Sequence, residues 1–138
     1  MKETMIYCEF SLFSEKNFSI EKITNTLKLE PTSYYENKKK FLEKNNEFYD
    51  ILETCWSLKI NYQKSLDINI QLKRILTKLE SKVEIIKKIK KDYGLESAIH
   101  IGVQIYNDIY PAIYLDVEIM RLLSDLETFI DIDIINYS

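Results

Sequence analysis

The chain has 138 residues, of which 46% are apolar and 30% are charged, and its net charge is -3. This length accommodates one compact core and is too short for two ordinary domains, so we expect a single domain over residues 1–138. Two glycines and two prolines in the whole chain exclude a loop-rich or disordered protein, and no apolar run approaches the ~20 residues of a membrane span.

The first predicted strand is residues 5–13, MIYCEFSLF, in which apolar and polar side chains alternate. The side chains expected on its buried face are Ile6, Cys8, Phe10 and Leu12, and those expected on its outer face are Tyr7, Glu9 and Ser11. Such alternation is typical of a half-buried strand. A helix is predicted next, from an N-cap at Ser19 to Leu29, and Pro31 ends it.

Residues 32–53 are polar and charged but contain pairs of aromatic and apolar side chains about seven residues apart, as expected for helical periodicity. We therefore expect a long, partly helical excursion here. The following strand, TCWSLKI, directs Trp56, Leu58 and Ile60 inward and Cys55, Ser57 and Lys59 outward. Because Cys8 and Cys55 fall on opposite faces, we expect two free thiols.

Residues 65–93 repeat an apolar side chain every three or four positions, which predicts an amphipathic helix. Ser81 and Glu84 have the spacing of a capping box, so we expect two helices with a bend near Glu80, although one continuous helix over 66–93 stays possible. Gly94 fits a left-handed C-terminal cap.

The last third of the chain begins with the strand AIHIGVQIY, which directs His100, Gly102 and Gln104 outward. A turn at Asn107-Asp108 is predicted to lead into a short edge strand at 109–115, and Asp116 is expected to cap a helix. The closing strand, TFIDIDI, buries its isoleucines and directs its two aspartates outward.

Strands and helices therefore alternate along the chain, and every helix has a single apolar stripe. The pattern predicts an α+β fold with a mostly antiparallel sheet of four to five strands and helices on one face. Each half of the chain is a strand-helix-strand unit, so we expect a ferredoxin-like, split βαβ pseudo-repeat.

Four stretches together resemble the uncharacterised bacterial family called domain of unknown function 4279. They are ITNTLKLEPT, CWSLKI, PAIYLDVEIMRLLSDL and IDIDIINY. One departure is the absence of a lysine-glycine turn after the Pro-Thr pair, where the chain reads NKKKFLEKNNEF. The resemblance implies an architecture and assigns no catalytic residue.

The sequence allows three hypotheses about chemical function. Asp131, Asp133 and His100 would form a metal-dependent or small-ligand enzyme site if the third and last strands were neighbours. Cys55 would be a nucleophile only with a base beside it, and His100 is the single histidine. The lysine-rich helix at 82–91 would bind nucleic acid, but the acidic net charge disfavours that reading.

The outward positions form a more informative set, because tyrosines among mixed charges are typical of protein-binding surfaces. The predicted partner-binding residues are Tyr7, Glu9, Lys59, His100, Gln104, Tyr106, Asp131 and Asp133. We therefore expect a non-enzymatic protein-binding domain without catalytic residues, metal or other cofactor. Its partner would be another protein or a homodimer mate, and an immunity protein against a bacterial toxin is the specific hypothesis.

The location of the protein is predicted from its first ten residues, MKETMIYCEF. They mix charged and polar side chains ahead of any apolar run, which is not the pattern of a secretory signal peptide. We therefore expect a cytoplasmic protein that does not interact with membranes.

Overall fold

The structure is a computed structural model, and it describes residues 2–138. The elements in chain order are β1 Met5–Ser14, α1 Ile20–Leu27, β2 Ser33–Lys44, β3 Glu47–Lys64, α2 Ile68–Leu79, a 3-10 turn Glu80–Lys82, α3 Val83–Tyr93, β4 Glu96–Ile105, α4 Val117–Asp125 and β5 Phe129–Asn136. The predicted α+β class is confirmed.

The five strands form one sheet in the order β2-β3-β1-β4-β5. Neighbouring strands are antiparallel except β4 and β5, which are parallel. The mostly antiparallel sheet is therefore as predicted. The pseudo-repeat is not confirmed, because the two halves differ: β3 lies between β1 and β2, whereas β4 and β5 are direct neighbours.

The core lies between the helices and one face of the sheet. All four inward side chains predicted on β1 are 0% exposed, as is Trp56 on β3. They cluster with buried apolar side chains from every helix, including Ile23, Leu72 and Ile86. The Trp56 indole N–H donates to Thr24 Oγ1 at 3.1 Å, so the largest core side chain has its polar atom satisfied.

Most of the predicted helix ends are confirmed. Ser19 accepts a hydrogen bond from the backbone N–H of Lys22 at 3.2 Å, and Asp116 accepts one from Ile119 at 2.9 Å. Gly94 has the left-handed φ of 66° that a C-terminal cap requires.

The capping box at Ser81 and Glu84 is wrong, although the predicted division into two helices near Glu80 is confirmed. The residue before α3 is Lys82, and no side chain caps the first turn of this helix. The division comes instead from the 3-10 turn, which connects α2 to α3 without a side-chain cap.

Two predictions of local structure are wrong. Residues 33–53 are not helical but form β2 and the first part of β3, joined at Asn45 and Asn46, whose φ angles are 54° and 62°. Two successive positive φ angles define the tight hairpin turn that matches strand twist. The edge strand at 109–115 is also absent: Ala112 makes only an isolated bridge with Asp67.

The remaining predictions concern the thiols and the membrane. Cys8 and Cys55 are both buried and free, as predicted. Among residues 2–138, no helix has the length and the apolar character needed to cross a bilayer.

Candidate functional site

The sheet face opposite the helices, called here the open face, carries one continuous row of three charged side chains and an imidazole, called here the charged row. The register pairs Glu9 with Lys59 on one side and with His100 on the other, and it pairs His100 with Asp131. One residue from each of β3, β1, β4 and β5 thus lies at the same level across the sheet. Four of the predicted site residues are brought together in this row.

Glu9 is the centre of this row and is largely enclosed. Its carboxylate accepts hydrogen bonds from the Tyr7 hydroxyl, from Ser11 Oγ at 2.7 Å and from Ser57 Oγ at 3.0 Å. Lys59 Nζ lies 3.8 Å away. Burial alone would raise the pKa of Glu9, but these donors and the lysine charge outweigh burial and lower that pKa. Glu9 is therefore held as a carboxylate.

Two tyrosines cover the sheet beside Glu9. The rings of Tyr7 and Tyr62 have centroids 5.4 Å apart. The Tyr62 side chain extends from β3 across β1 and lies over Gly102 on β4, where a Cβ would be 3.1 Å from its Cζ atom. Burial, followed by the hydrogen bond to Glu9, raises the pKa of the Tyr7 phenol. The Tyr7 phenol is thus a neutral group with a polar tip on the open face.

His100 and the two aspartates do not form the metal site that was considered. His100 Nδ1 lies 3.5 Å from Asp131 Oδ2. Asp133 lies two residues further along β5 and is in register with Gly102 instead of His100. Within residues 2–138, no group of three or more His, Cys, Asp or Glu side chains is placed to hold a metal ion. The register of β4 and β5 therefore places Asp131 beside the imidazole and Asp133 beside a different residue.

The other two predicted residues lie toward the end of β4. Gln104 is half-buried and pairs with Met5 and Ile135 in the register. Tyr106 follows the strand and stacks on Tyr137, with ring centroids 5.2 Å apart. The predicted set is thus placed on the open face and just beyond its end, and its role in binding stays a prediction.

A cleft at the opposite end of the open face was not predicted. Its volume is 590 Å³, and it lies between the β2–β3 hairpin and the ends of β1, β4 and β5. Its apolar lining is Phe13, Leu42, Ile51 and Phe129, and its charged lining is Glu15, Glu53, Glu96 and Lys16. Phe13 and Phe129 meet edge to face, with centroids 6.3 Å apart. Phe129 also meets His100 edge to face at 6.5 Å, so the cleft continues into the charged row.

Only some of the residues that line this cleft could have been predicted from the sequence. Phe13 and Phe129 occupy outward positions of their strands, which an alternation count could have identified. Leu42 and Ile51 could not be assigned, because they belong to the hairpin that sequence analysis interpreted as an excursion.

Cys55 is buried on the open face, with Sγ 3.3 Å from Ser57 Oγ. Burial raises the pKa of this thiol, and the neighbouring side-chain hydrogen bonds only partly offset the effect. A neutral thiol is a weak nucleophile, so the environment disfavours the nucleophile reading.

The basic helix uses its lysines within the fold. Lys90 Nζ donates to the carbonyl oxygens of Leu126 and Glu127 at 2.7 and 2.8 Å, at the end of α4. Lys88 pairs with Asp92 at 2.9 Å. Two lysines of the cluster thus bind groups of the same chain, which disfavours the hypothesis that this helix binds nucleic acid.

The comparison with protein families decides where the chain belongs. The family model for a domain of unknown function, DUF4279, matches residues 3–137. The chain is a member of the DUF4279 family. The resemblance inferred from the four stretches is therefore confirmed over almost the whole chain. No curated protein and no solved structure matches it. The description of DUF4279 assigns no activity, so membership brings no functional residue to this chain.

Proposed function

We propose that the chain is a non-enzymatic protein-binding domain whose open face and cleft form the binding surface. The observation that carries the proposal is Phe129, which is 52% exposed although it lies against Phe13 and His100. Aromatic side chains that offer a large apolar area beside polar atoms are enriched at protein interfaces. A cleft with an apolar lining beside a charged row supplies an anchor and a means of orienting the partner.

The charges on this surface indicate a basic partner. The cleft and β5 carry five acidic groups, Glu15, Glu53, Glu96, Asp131 and Asp133, whereas the cleft lining contains one basic group, Lys16. Lys40 pairs with Glu53 at 2.7 Å, so the remaining negative charge comes from the other four carboxylates. Complementary charge accelerates encounter and excludes partners of the wrong sign. The specific role we propose is that of a cytoplasmic immunity protein, which binds a basic bacterial toxin and blocks its active surface.

A matched pair of photo-crosslinking positions tests the binding surface. A crosslinking phenylalanine analogue is placed at residue 129, in the cleft, or at residue 85, on the exposed side of α3. In cells that naturally produce the chain, position 129 should give one defined protein adduct and position 85 should not. An equal yield at both positions, or no adduct at 129, would contradict the proposal.

The immunity role requires a separate test. A toxic reading frame beside the gene should be neutralised by co-expression of the wild-type chain and of Ile85→Ser, but not by Phe129→Ser. Both substitutions remove an exposed apolar side chain, so a difference between them reports on the cleft. Equal rescue by all three chains would exclude the cleft as the toxin-binding surface.

We also propose that strands β1 to β4 and their helices form a ferredoxin-like unit. The spatial order β2-β3-β1-β4 with antiparallel neighbours supports this interpretation. In this interpretation, α4 and β5 extend that unit at one edge. The extension contributes Phe129, Asp131 and Asp133 to the open face, so it supplies much of the proposed binding surface.

A further inference from the structure

The outer side of β5, called here the β5 edge, is one of the two edges of the sheet. Strand β5 runs from Phe129 to Asn136 and pairs with β4 over eight consecutive residues without a bulge. Within residues 2–138, no strand pairs with its other side. Because alternate residues of a strand direct their amides to opposite sides, about half of these residues offer backbone donors and acceptors to solvent.

The opposite edge of the sheet, β2, is protected in ways that β5 is not. β2 carries four lysines, at positions 38, 39, 40 and 44, and its ladder with β3 is interrupted between Tyr35 and Lys38. Lysines and bulges at an edge are common devices against pairing with another strand. β5 has no lysine, no proline and no bulge, so it is the edge suited to accept a strand.

The side chains of β5 specify what such a strand would carry. Asp131 and Asp133 are exposed on the open face, whereas Ile130, Ile132 and Ile134 lie on the other face. Ile134 is 51% exposed and has apolar area left to cover. A complementary strand therefore alternates basic residues, beside the aspartates, with apolar residues beside the isoleucines.

The same charges disfavour a second copy of this chain as the occupant. In an antiparallel β5–β5 pair centred on Ile132, Asp131 of each copy would lie opposite Asp133 of the other. Like charges directly opposite each other destabilise a strand pair. The aspartates thus act against self-pairing while they favour a basic strand.

We propose that the β5 edge binds an extended segment of the partner protein, in which basic and apolar residues alternate. The inference rests on the proposed protein-binding function and names the chemistry of the partner. Main-chain hydrogen bonds to β5 would supply affinity, and the alternation would supply specificity.

A synthetic peptide of four Lys-Val repeats is the probe. Bound peptide should protect amides of residues 129–136 from hydrogen exchange. A further version carries N-methyl groups on every backbone amide and keeps the same side chains and charge. Because an added strand in either orientation directs one set of its amides to β5, this version should lose binding. Binding of the methylated version equal to that of the parent peptide would reduce the interaction to charge attraction and overturn the proposal.

Substitutions in the protein test the charge pairing. Asp131→Asn/Asp133→Asn should weaken binding of the Lys-Val peptide about fivefold, the effect expected from two exposed cross-strand charge pairs. The control Glu118→Gln/Asp125→Asn removes the same charge from α4 and should leave the affinity unchanged. Equal weakening in both variants would assign the effect to net charge and overturn the proposal. Measurements are made at concentrations where sedimentation shows each variant to be a monomer.

The outcomes separate this inference from the proposed function. A crosslinked partner at position 129, with no protection of residues 129–136 in its complex, would overturn strand addition alone. The absence of any partner adduct would count against the proposed function itself. A wild-type dimer that protects β5 without peptide would show self-pairing and overturn the inference.

Discussion

At the scale of single residues, the glycine at position 102 of β4 is explained by the side chain of Tyr62. Tyr62 belongs to β3, which does not pair with β4. Tyr62 extends from β3 across β1 and places its ring where a side chain at position 102 would lie. The Gly102→Ala protein should therefore displace Tyr62, disturb its packing on Tyr7 and lose about 1 kcal/mol of unfolding free energy. Urea unfolding measures the loss, and NMR shifts of the tyrosine rings report the displacement.

A double-mutant cycle provides the control for this prediction. In a Tyr62→Leu background, Gly102→Ala should cost much less, because the shorter side chain does not reach β4. An equal cost in both backgrounds would show that the glycine is needed for its backbone rather than for space.

Glu9 gives a pH-dependent contribution to stability at the same scale. Its pKa is lowered from the ordinary value of 4.5, because hydrogen bonds and Lys59 outweigh the opposing effect of burial. The carboxylate therefore stabilises the fold above pH 4.5, and this stabilisation is lost as the pH falls through the lower folded pKa. Glu9→Gln should cost about 1–3 kcal/mol at pH 7.

Unfolding of the wild type and of Glu9→Gln across the acid range measures this contribution. The difference in unfolding free energy should be constant near neutrality and shrink below pH 4.5. Glu118→Gln, on the exposed side of α4, is the control and should show a much smaller difference at every pH. A difference that persists at the lowest pH would mean that Glu9 acts through packing and not through its charge.

At the scale of elements, alternation predicted strands wherever one side of the strand is buried. The inward side chains of β1 and β4 are apolar at every second position, and the helices cover them in the structure. The β2–β3 hairpin escaped prediction because it extends beyond the core. Its apolar residues Phe41, Leu42 and Phe48 are exposed and alternate with charges on both faces, so neither face has a distinctive pattern.

The turn of this hairpin offers a direct test of its conformation. Asn45 and Asn46 both have positive φ, which asparagine tolerates and glycine adopts without a steric penalty. Asn46→Gly should therefore stabilise the hairpin by up to about 1 kcal/mol, and Asn46→Val should destabilise it. Hydrogen-exchange protection of residues 38–53 measures both effects. No difference between glycine and valine at this position would contradict the two-residue turn.

At the scale of the whole molecule, strand order is what assembles the site. The sequence predicted that Glu9, Lys59, His100 and Asp131 face outward, because that depends only on local alternation. It could not predict that one row contains all four, because the register of β3, β1, β4 and β5 depends on packing between distant segments. The cleft could not be predicted for the same reason, because it forms only when the β2–β3 hairpin lies beside Phe13 and Phe129.

The two aspartates of β5 give a prediction about the whole molecule. Their side chains are exposed, so Asp131→Asn/Asp133→Asn should keep the unfolding free energy within about 0.5 kcal/mol of the wild type. The variant should nevertheless self-associate at lower protein concentration, because it loses the like-charge repulsion that opposes β5–β5 pairing. Sedimentation velocity over a concentration series measures the association, with Glu118→Gln/Asp125→Asn as the variant of equal net charge. Association that is no stronger than in this control would show that the aspartates do not protect the edge, and a severe loss of stability would show that they do not face solvent.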